Sequence, residues 1–168
     1  PSNPEYEGLW LFSSDVAAAF DGITEASKEV ALRRLGLPEK FIQFVKEAQS
    51  GAPRRVRFND GSFSKKFHLY RGASQGSLLS PFIWLAFVSM WLDHAAQSGK
   101  GYKPKDGVHI PGPAFVDDII NAAHNEKNMR TLIREFTEFL RAHSASVSKP
   151  KSILMARPQR RIKKQLNP

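Results

Sequence analysis

Gly112-Pro113-Ala114-Phe115-Val116-Asp117-Asp118-Ile119-Ile120 places two adjacent acids between apolar runs. Apolar residues on both sides of such a pair suit two short strands with the acids at their junction. A third acid, Asp15, lies near the end of a short apolar run over residues 9–16 that follows Gly8 and reads as a buried strand. Three carboxylates thus stand at strand ends, where desolvation penalises an unpaired charge. Either each caps a turn or pairs with one of the chain's many cations, or the three hold divalent ions together. Two ions about 3.5 to 4 Å apart activate an attacking hydroxyl and stabilise a leaving oxygen in phosphoryl transfer, and oxygen-only ligands suit magnesium. Alternation along a strand sends Asp117 and Asp118 to opposite sides, so without a bend at the junction only one of them shares a metal with Asp15. Asp117 is read as the main ligand and Asp118 as its helper.

Outward from the acids, Met129, Leu132, Ile133, Phe136, Phe139 and Leu140 recur at three- and four-residue spacing and predict an amphipathic helix near 126–142. Pro81 suits the first turn of a second helix, near 80–97, whose apolar residues fall on nearly every face and mark it as the buried centre. Thr24 caps a helix that runs to Leu35 and stops at Gly36, and another helix follows Pro38 to about Ala48. Residues 54–58 and 63–69 flank Asn59-Asp60-Gly61, which predicts a hairpin with a tight turn at positive backbone angles. Val147 and residues 153–155 offer the last short strands.

The chain has 168 residues, 41% of them hydrophobic, which suits one globular domain and excludes collagen-like, disordered and coiled-coil classes. There are 25 Lys and Arg against 16 Asp and Glu, a net charge of +9, which favours polyanionic partners, nucleic acid first. With no cysteine, disulfides, thiolate zinc sites and Cys nucleophiles are excluded. The longest apolar run, 78–92, is too short to span a bilayer, and the N-terminus lacks a charged leader and an apolar signal core. An intracellular protein without a membrane partner is expected, nuclear or cytoplasmic being unread.

Three strings together resemble a known family: Asp15-Val16-Ala17-Ala18-Ala19-Phe20-Asp21, then Arg71-Gly72-Ala73-Ser74-Gln75-Gly76-Ser77-Leu78-Leu79-Ser80-Pro81, then Phe115-Val116-Asp117-Asp118. In order and spacing they are similar to motifs A, B and C of the reverse transcriptase palm, nearest the non-LTR retrotransposon and group II intron branches. Val147-Ser148-Lys149-Pro150-Lys151-Ser152 resembles motif D, with Ser148 and Ser152 as departures. The resemblance implies an α+β palm, a small antiparallel sheet backed by helices. It also implies template-directed addition of deoxynucleotides to a primer 3′ hydroxyl, with an RNA template, a DNA primer and dNTPs as partners. Two Mg2+ ions, or Mn2+ in their place, would be held by Asp15, Asp117 and Asp118. Phe20 matches the family's steric gate against a ribose 2′-hydroxyl, Gln75 and Gly76 its contact to incoming nucleotide and template, and Lys151 its general acid on the leaving pyrophosphate. The family's complete polymerases carry fingers before motif A and a thumb after motif D. This chain starts at motif A, so a palm fragment over 1–156 with a basic tail over 157–168 is expected, fingers and thumb absent, the rest belonging to a larger polyprotein.

Two other functions remain open at this level. A palm that has lost catalysis would serve as an RNA-binding module through Arg54, Arg55, Arg57, Lys65, Lys66 and the tail, all as phosphate contacts. Gly72-Ala73-Ser74-Gln75-Gly76 also satisfies the Gly-x-Ser-x-Gly elbow of serine hydrolases, with Ser74 as nucleophile and Asp117 and His124 or His143 downstream.

Overall fold

The computed structural model describes residues 8–51, 53–74, 76–104 and 107–158. The central strand is β1 (Gly8–Ala17), on which Phe12, Ser14 and Val16 are buried while Ser13 and Asp15 face the other way. The chain then turns sharply through Ala18, at φ 50°, into one turn of helix, α1 (Ala19–Gly22). Helix α2 (Glu25–Arg34) starts where the Thr24 hydroxyl accepts the Ser27 amide at 3.1 Å, and Gly36, at φ 73°, ends that segment. Pro38 opens α3 (Glu39–Lys46), which widens into a π-helical turn over Glu47–Gly51.

Residues 54–67 form the expected hairpin in an irregular form. Backbone bridges join Arg54 to Phe67 and Arg57 to Phe63, but the Val56 amide donates to the Ser64 hydroxyl instead of a carbonyl. Only Gly61 takes a positive φ, 84°. With the Gly61 amide on the Phe58 carbonyl and the Phe58 amide on the Ser62 carbonyl, the loop is a three-residue turn with a glycine bulge rather than a two-residue one.

Helix α4 (Leu79–Gln97) carries Pro81 in its first turn and buries Ile83, Trp84, Phe87 and Trp91. Strands β2 (Ala114–Phe115) and β3 (Asp118–Ala123) follow, then α5 (Glu126–Ala142), capped by Asn125 accepting the Asn128 amide at 2.8 Å. Last come β4 (Ser146–Val147), a 3-10 turn over Lys149–Lys151, and β5 (Ile153–Pro158). The expected last strand is thus longer than 153–155, because it pairs along β1 from Ser13 back to Gly8. The sheet runs β2-β3-β1-β4, antiparallel throughout, with β5 also paired to β1. Among the described residues no helix is long and apolar enough to cross a membrane.

Helices α4 and α5 cover one face of the sheet. Phe87 stacks on Phe139 at 5.0 Å and Trp91 packs on Phe136 at 5.0 Å, and each fully buried side chain of this size contributes about 1.5–3 kcal/mol. The opposite face is left open, as an antiparallel sheet permits. It carries Asp15, Asp118 and Ile120.

His143 packs edge-on to Phe87 at 5.1 Å with its Nδ1 2.8 Å from the Ser27 hydroxyl, and burial pushes its pKa below the usual imidazole value. Burial lowers that of His124 as well. Protons therefore prefer the unfolded chain. Stability should be complete above the unfolded imidazole value of about 6.5 and fall as pH drops through it towards the lowered folded values. The urea midpoint should be lower at pH 5.5 than at pH 7.5, and His143→Gln should shrink the difference. Equal midpoints at the two pH values would show that neither imidazole is held neutral by the fold.

Candidate active site

Antiparallel pairing places Asp15 directly across from Asp118 and Ser14 across from Ile119. Directly opposed residues share a face, with Cβ atoms about 4.5–5.5 Å apart. Two carboxylates thus confront each other on the open face, Asp15 mostly covered at 17% side-chain exposure and Asp118 exposed. Asp117 occupies the turn itself, and its carbonyl accepts the Val16 amide at 3.4 Å. The bend on which the sequence argument depended is made by Val116, at φ 52°, in the first position of a two-residue loop closed by the Phe115–Asp118 pair. Glycine is the usual residue there, and a β-branched side chain in this region is strained by about 1–3 kcal/mol. Because the bend falls at Val116, Asp118 already belongs to β3 and is the acid that faces Asp15. Asp117, set first by the sequence, lies one residue away in the loop.

The hairpin is pinned from behind. The Trp84 indole N–H donates to the Val116 carbonyl, and two helical turns later the Trp91 indole donates to Asn121 Oδ1 at 2.9 Å. Neither tryptophan was singled out from sequence, although their seven-residue spacing on an apolar helix was the available signal. Trp84 also meets the Phe20 ring, centroids 6.0 Å apart. Half-buried Phe20, on α1, therefore leans on the same indole that anchors the acidic turn.

The loop beginning at Arg71 docks on the α1 turn. The Gly72 amide donates to the Ile23 carbonyl at 2.7 Å and the Ala73 amide to the Phe20 carbonyl at 2.6 Å. A Cβ at position 72 would lie 3.1 Å from the Phe20 carbonyl oxygen, and φ is +85°, so glycine is required there. Two side chains unremarked in the sequence hold this loop. Lys28, 2% exposed, donates to the Gly72 carbonyl at 2.7 Å and pairs with Glu25. Gln49, also 2% exposed, accepts the Ser74 amide at 2.8 Å and donates to the Ser77 hydroxyl at 3.2 Å. Gly76 stands exposed at φ +82° with open space around it. Gln75 lies outside the described residues, as do the basic residues of the tail from position 160 onward.

Lys151 reaches the acids through an interruption in the sheet edge. Strand β4 pairs with Val16 and Ala17, β5 with residues 8–13, and between them the Ser148 amide donates to the Asp15 carbonyl at 2.8 Å. The 3-10 turn that follows sets Lys151 Nζ 3.4 Å from Asp15 Oδ2. Of the five cations expected on nucleic acid, Arg55, Arg57, Lys65 and Lys66 are exposed. Arg54 is turned inward, donating to the Gln49 carbonyl at 3.1 Å and to the Ser74 hydroxyl.

These contacts also remove the hydrolase arrangement. The Ser74 hydroxyl is held by Arg54, while His143 is bound to Ser27 and His124 Nε2 accepts the Lys103 amide at 2.7 Å. No Ser74–His pair is assembled among the described residues.

Three carboxylates, Asp15 on β1, Asp118 on β3 and Asp117 in the turn before it, offer hard oxygen donors, the chemistry a divalent cation such as magnesium prefers. The donor set fits such an ion. Among the described residues, however, no three His, Cys, Asp or Glu side chains already converge on one point. The Lys151 ammonium supplies the countercharge at Asp15.

Residues 3–164 match the family model described as "Reverse transcriptase (RNA-dependent DNA polymerase)". The chain is 32% identical over 144 residues to the retrovirus-related Pol polyprotein from the type-1 retrotransposable element R2 of Popillia japonica, a match covering 85% of this chain and 20% of that protein. It is 27% identical over 139 residues to the Pol polyprotein from the type-2 element R2DM of Drosophila melanogaster, covering 83% and 13%. The chain thus spans a fifth or less of these relatives' length. Among solved structures, the fold is similar to that of apo telomerase from Candida tropicalis, truncated from its C-terminal domain, with TM-score 0.67, 13% identity, and coverage of 92% of this chain and 32% of that one. Telomerase from Candida albicans, in complex with the TWJ fragment of telomeric RNA, gives TM-score 0.67 at 13% identity over 88% and 27%.

Proposed function

Because the chain belongs to the reverse transcriptase family, we propose that it is the palm of an RNA-directed DNA polymerase working inside a longer polyprotein. It would add deoxynucleotides to a DNA primer on an RNA template. The observation that carries this reading is the Asp15–Asp118 confrontation on an open sheet face, with Asp117 in the adjoining turn. Reverse transcriptases as a family use divalent metal ions, and we assign Asp15, Asp117 and Asp118 to hold two Mg2+. Bound there, the ions would activate the primer 3′ hydroxyl and offset charge on the α-phosphate and the departing pyrophosphate.

The chain's own groups do the rest. The 3′ hydroxyl gives up its proton to solvent as its oxygen bonds to the α-phosphorus, the bond from that phosphorus to the bridging oxygen breaks, and Lys151 Nζ, already beside Asp15, gives its proton to the leaving pyrophosphate. Gly76, with no Cβ and open space around it, lets nucleotide and template approach the backbone, and Gln75 contacts the same ligands. The exposed Arg55, Arg57, Lys65 and Lys66 hold phosphates of the nucleic acid.

Primer extension on an RNA template with dNTPs and Mg2+ tests the reading, using the domain in its full-length parent. Extension is expected. RNA binding without extension would replace the polymerase with a palm-derived RNA-binding module.

Phe20 supplies a sharper prediction. As the gate against a ribose 2′-hydroxyl, its replacement in Phe20→Ala should raise ribonucleotide incorporation relative to deoxynucleotide by about 10- to 200-fold, the range one pocket contact commands. The ratio is independent of how much enzyme is folded. An unchanged ratio would make Phe20 a core residue packed on Trp84 and nothing more.

A further inference from the structure

Gln49 lies 26 residues from position 75 in sequence, and no motif points to it. It sits in the π-helical turn Glu47–Gly51, a widened geometry that recurs at functional sites. Buried at 2% exposure, its amide is divided between two partners: Oε1 accepts the Ser74 amide at 2.8 Å, and Nε2 donates to the Ser77 hydroxyl at 3.2 Å. Ser74 and Ser77 are the residues on either side of Gln75-Gly76.

The remaining groups of Ser74 are held as well. Its carbonyl accepts the Ser80 hydroxyl at 2.6 Å and its own hydroxyl accepts from Arg54, which also donates to the Gln49 carbonyl. Gly76 itself has open space where a Cβ would stand, and the adjoining Ser77 is held through its hydroxyl by Gln49. An amide is apt for this task because it both donates and accepts without carrying a charge into a buried site.

We infer that Gln49 is a positioning residue which braces the 74–77 loop from both ends and so sets the backbone path at Gly76 on which the incoming nucleotide is received. The inference rests on the polymerase reading above, and its action is on nucleotide binding rather than on the chemical step. A supporting shell of this kind fixes a binding group that would otherwise drift.

Gln49→Met keeps the length and apolar stem and removes both hydrogen bonds. In the full-length parent the KM for dNTP should rise about tenfold while kcat at saturation stays within about twofold, the signature of lost ground-state binding. Ser77→Ala removes one arm only and should raise KM about threefold. In the 168-residue chain, hydrogen exchange should quicken at the Ser74 and Ser77 amides and stay unchanged in β1 and β3. A parent that extends primers with unchanged KM in both variants overturns the inference, as does unchanged exchange at Ser74 and Ser77. A parent that never extends primers sinks the polymerase reading instead, and the exchange result then still decides whether Gln49 braces the loop.

Discussion

Asp118→Asn should leave the domain folded and reduce primer extension by about 100- to 1,000-fold, the cost of loosening cations that offset transition-state charge. Asn has the shape of Asp and lacks its charge, and Asp118 is exposed at the start of β3. Directly across the strand pair stands Asp15, and like charges in that relation repel. Removing one of them should hold the melting temperature steady or raise it, while a metal-dependent activity collapses. Opposite movement of stability and activity is what separates a ligand from a structural residue. The parallel variant Asp117→Asn ranks the two acids: the strand register favours a larger loss at 118, whereas a larger loss at 117 would mean that the turn reorganises when cations arrive. Full activity in Asp118→Asn, with wild-type extension established, would remove this carboxylate from the metal site.

The acids were legible because a charge at the end of an apolar run is a local anomaly. Asp15, Asp117 and Asp118 each interrupt a pattern that can be read within a ten-residue window; the helix over residues 126–142 announces itself by spacing in the same local way, and that over 79–97 by Pro81 and an unbroken apolar run. What the sequence could not convey is which groups meet across long separations. Gln49 and Lys28 are an ordinary polar residue and an ordinary cation on their own helices. Their importance appears only when the loop from Arg71 folds back on the α1 turn and offers them backbone partners. The inward bonds of Arg54 were hidden for the same reason, since nothing local distinguishes an arginine that binds a distant serine from one that faces solvent. Which of the two acids lies directly across from Asp15 turned on a single dihedral angle, at Val116, that residue type argues against.

Gly112→Ala should destabilise the domain by about 4 kcal/mol or more, against a total of about 5–15 kcal/mol for a typical domain. The residue belongs to the same stretch as the paired acids, yet its requirement comes from elsewhere in the fold. Residues 111–113 lie along β3 as a strap: the Ala122 amide donates to the Pro111 carbonyl at 2.8 Å and the Ile120 amide to the Pro113 carbonyl at 2.9 Å. Gly112 lies between these two bonds at φ +131°, and a Cβ there would fall 1.6 Å from the Ile120 carbonyl oxygen. The clash is with backbone, so no side chain can swing aside. Relief requires the strap to lift, which breaks the flanking hydrogen bonds at about 1 kcal/mol each and adds to a backbone penalty of about 1–3 kcal/mol for a non-glycine residue at such angles. Gly76→Ala is the matched control, because its φ is +82° but nothing lies within 4 Å of the added methyl; it should cost only about 1–2 kcal/mol. Urea denaturation of both variants measures the contrast. Near-equal losses would show that positive φ alone governs the cost and that the strap does not press on β3. A much larger loss at 112 would show that the strand presenting Asp118 is held in place by a backbone contact only glycine allows.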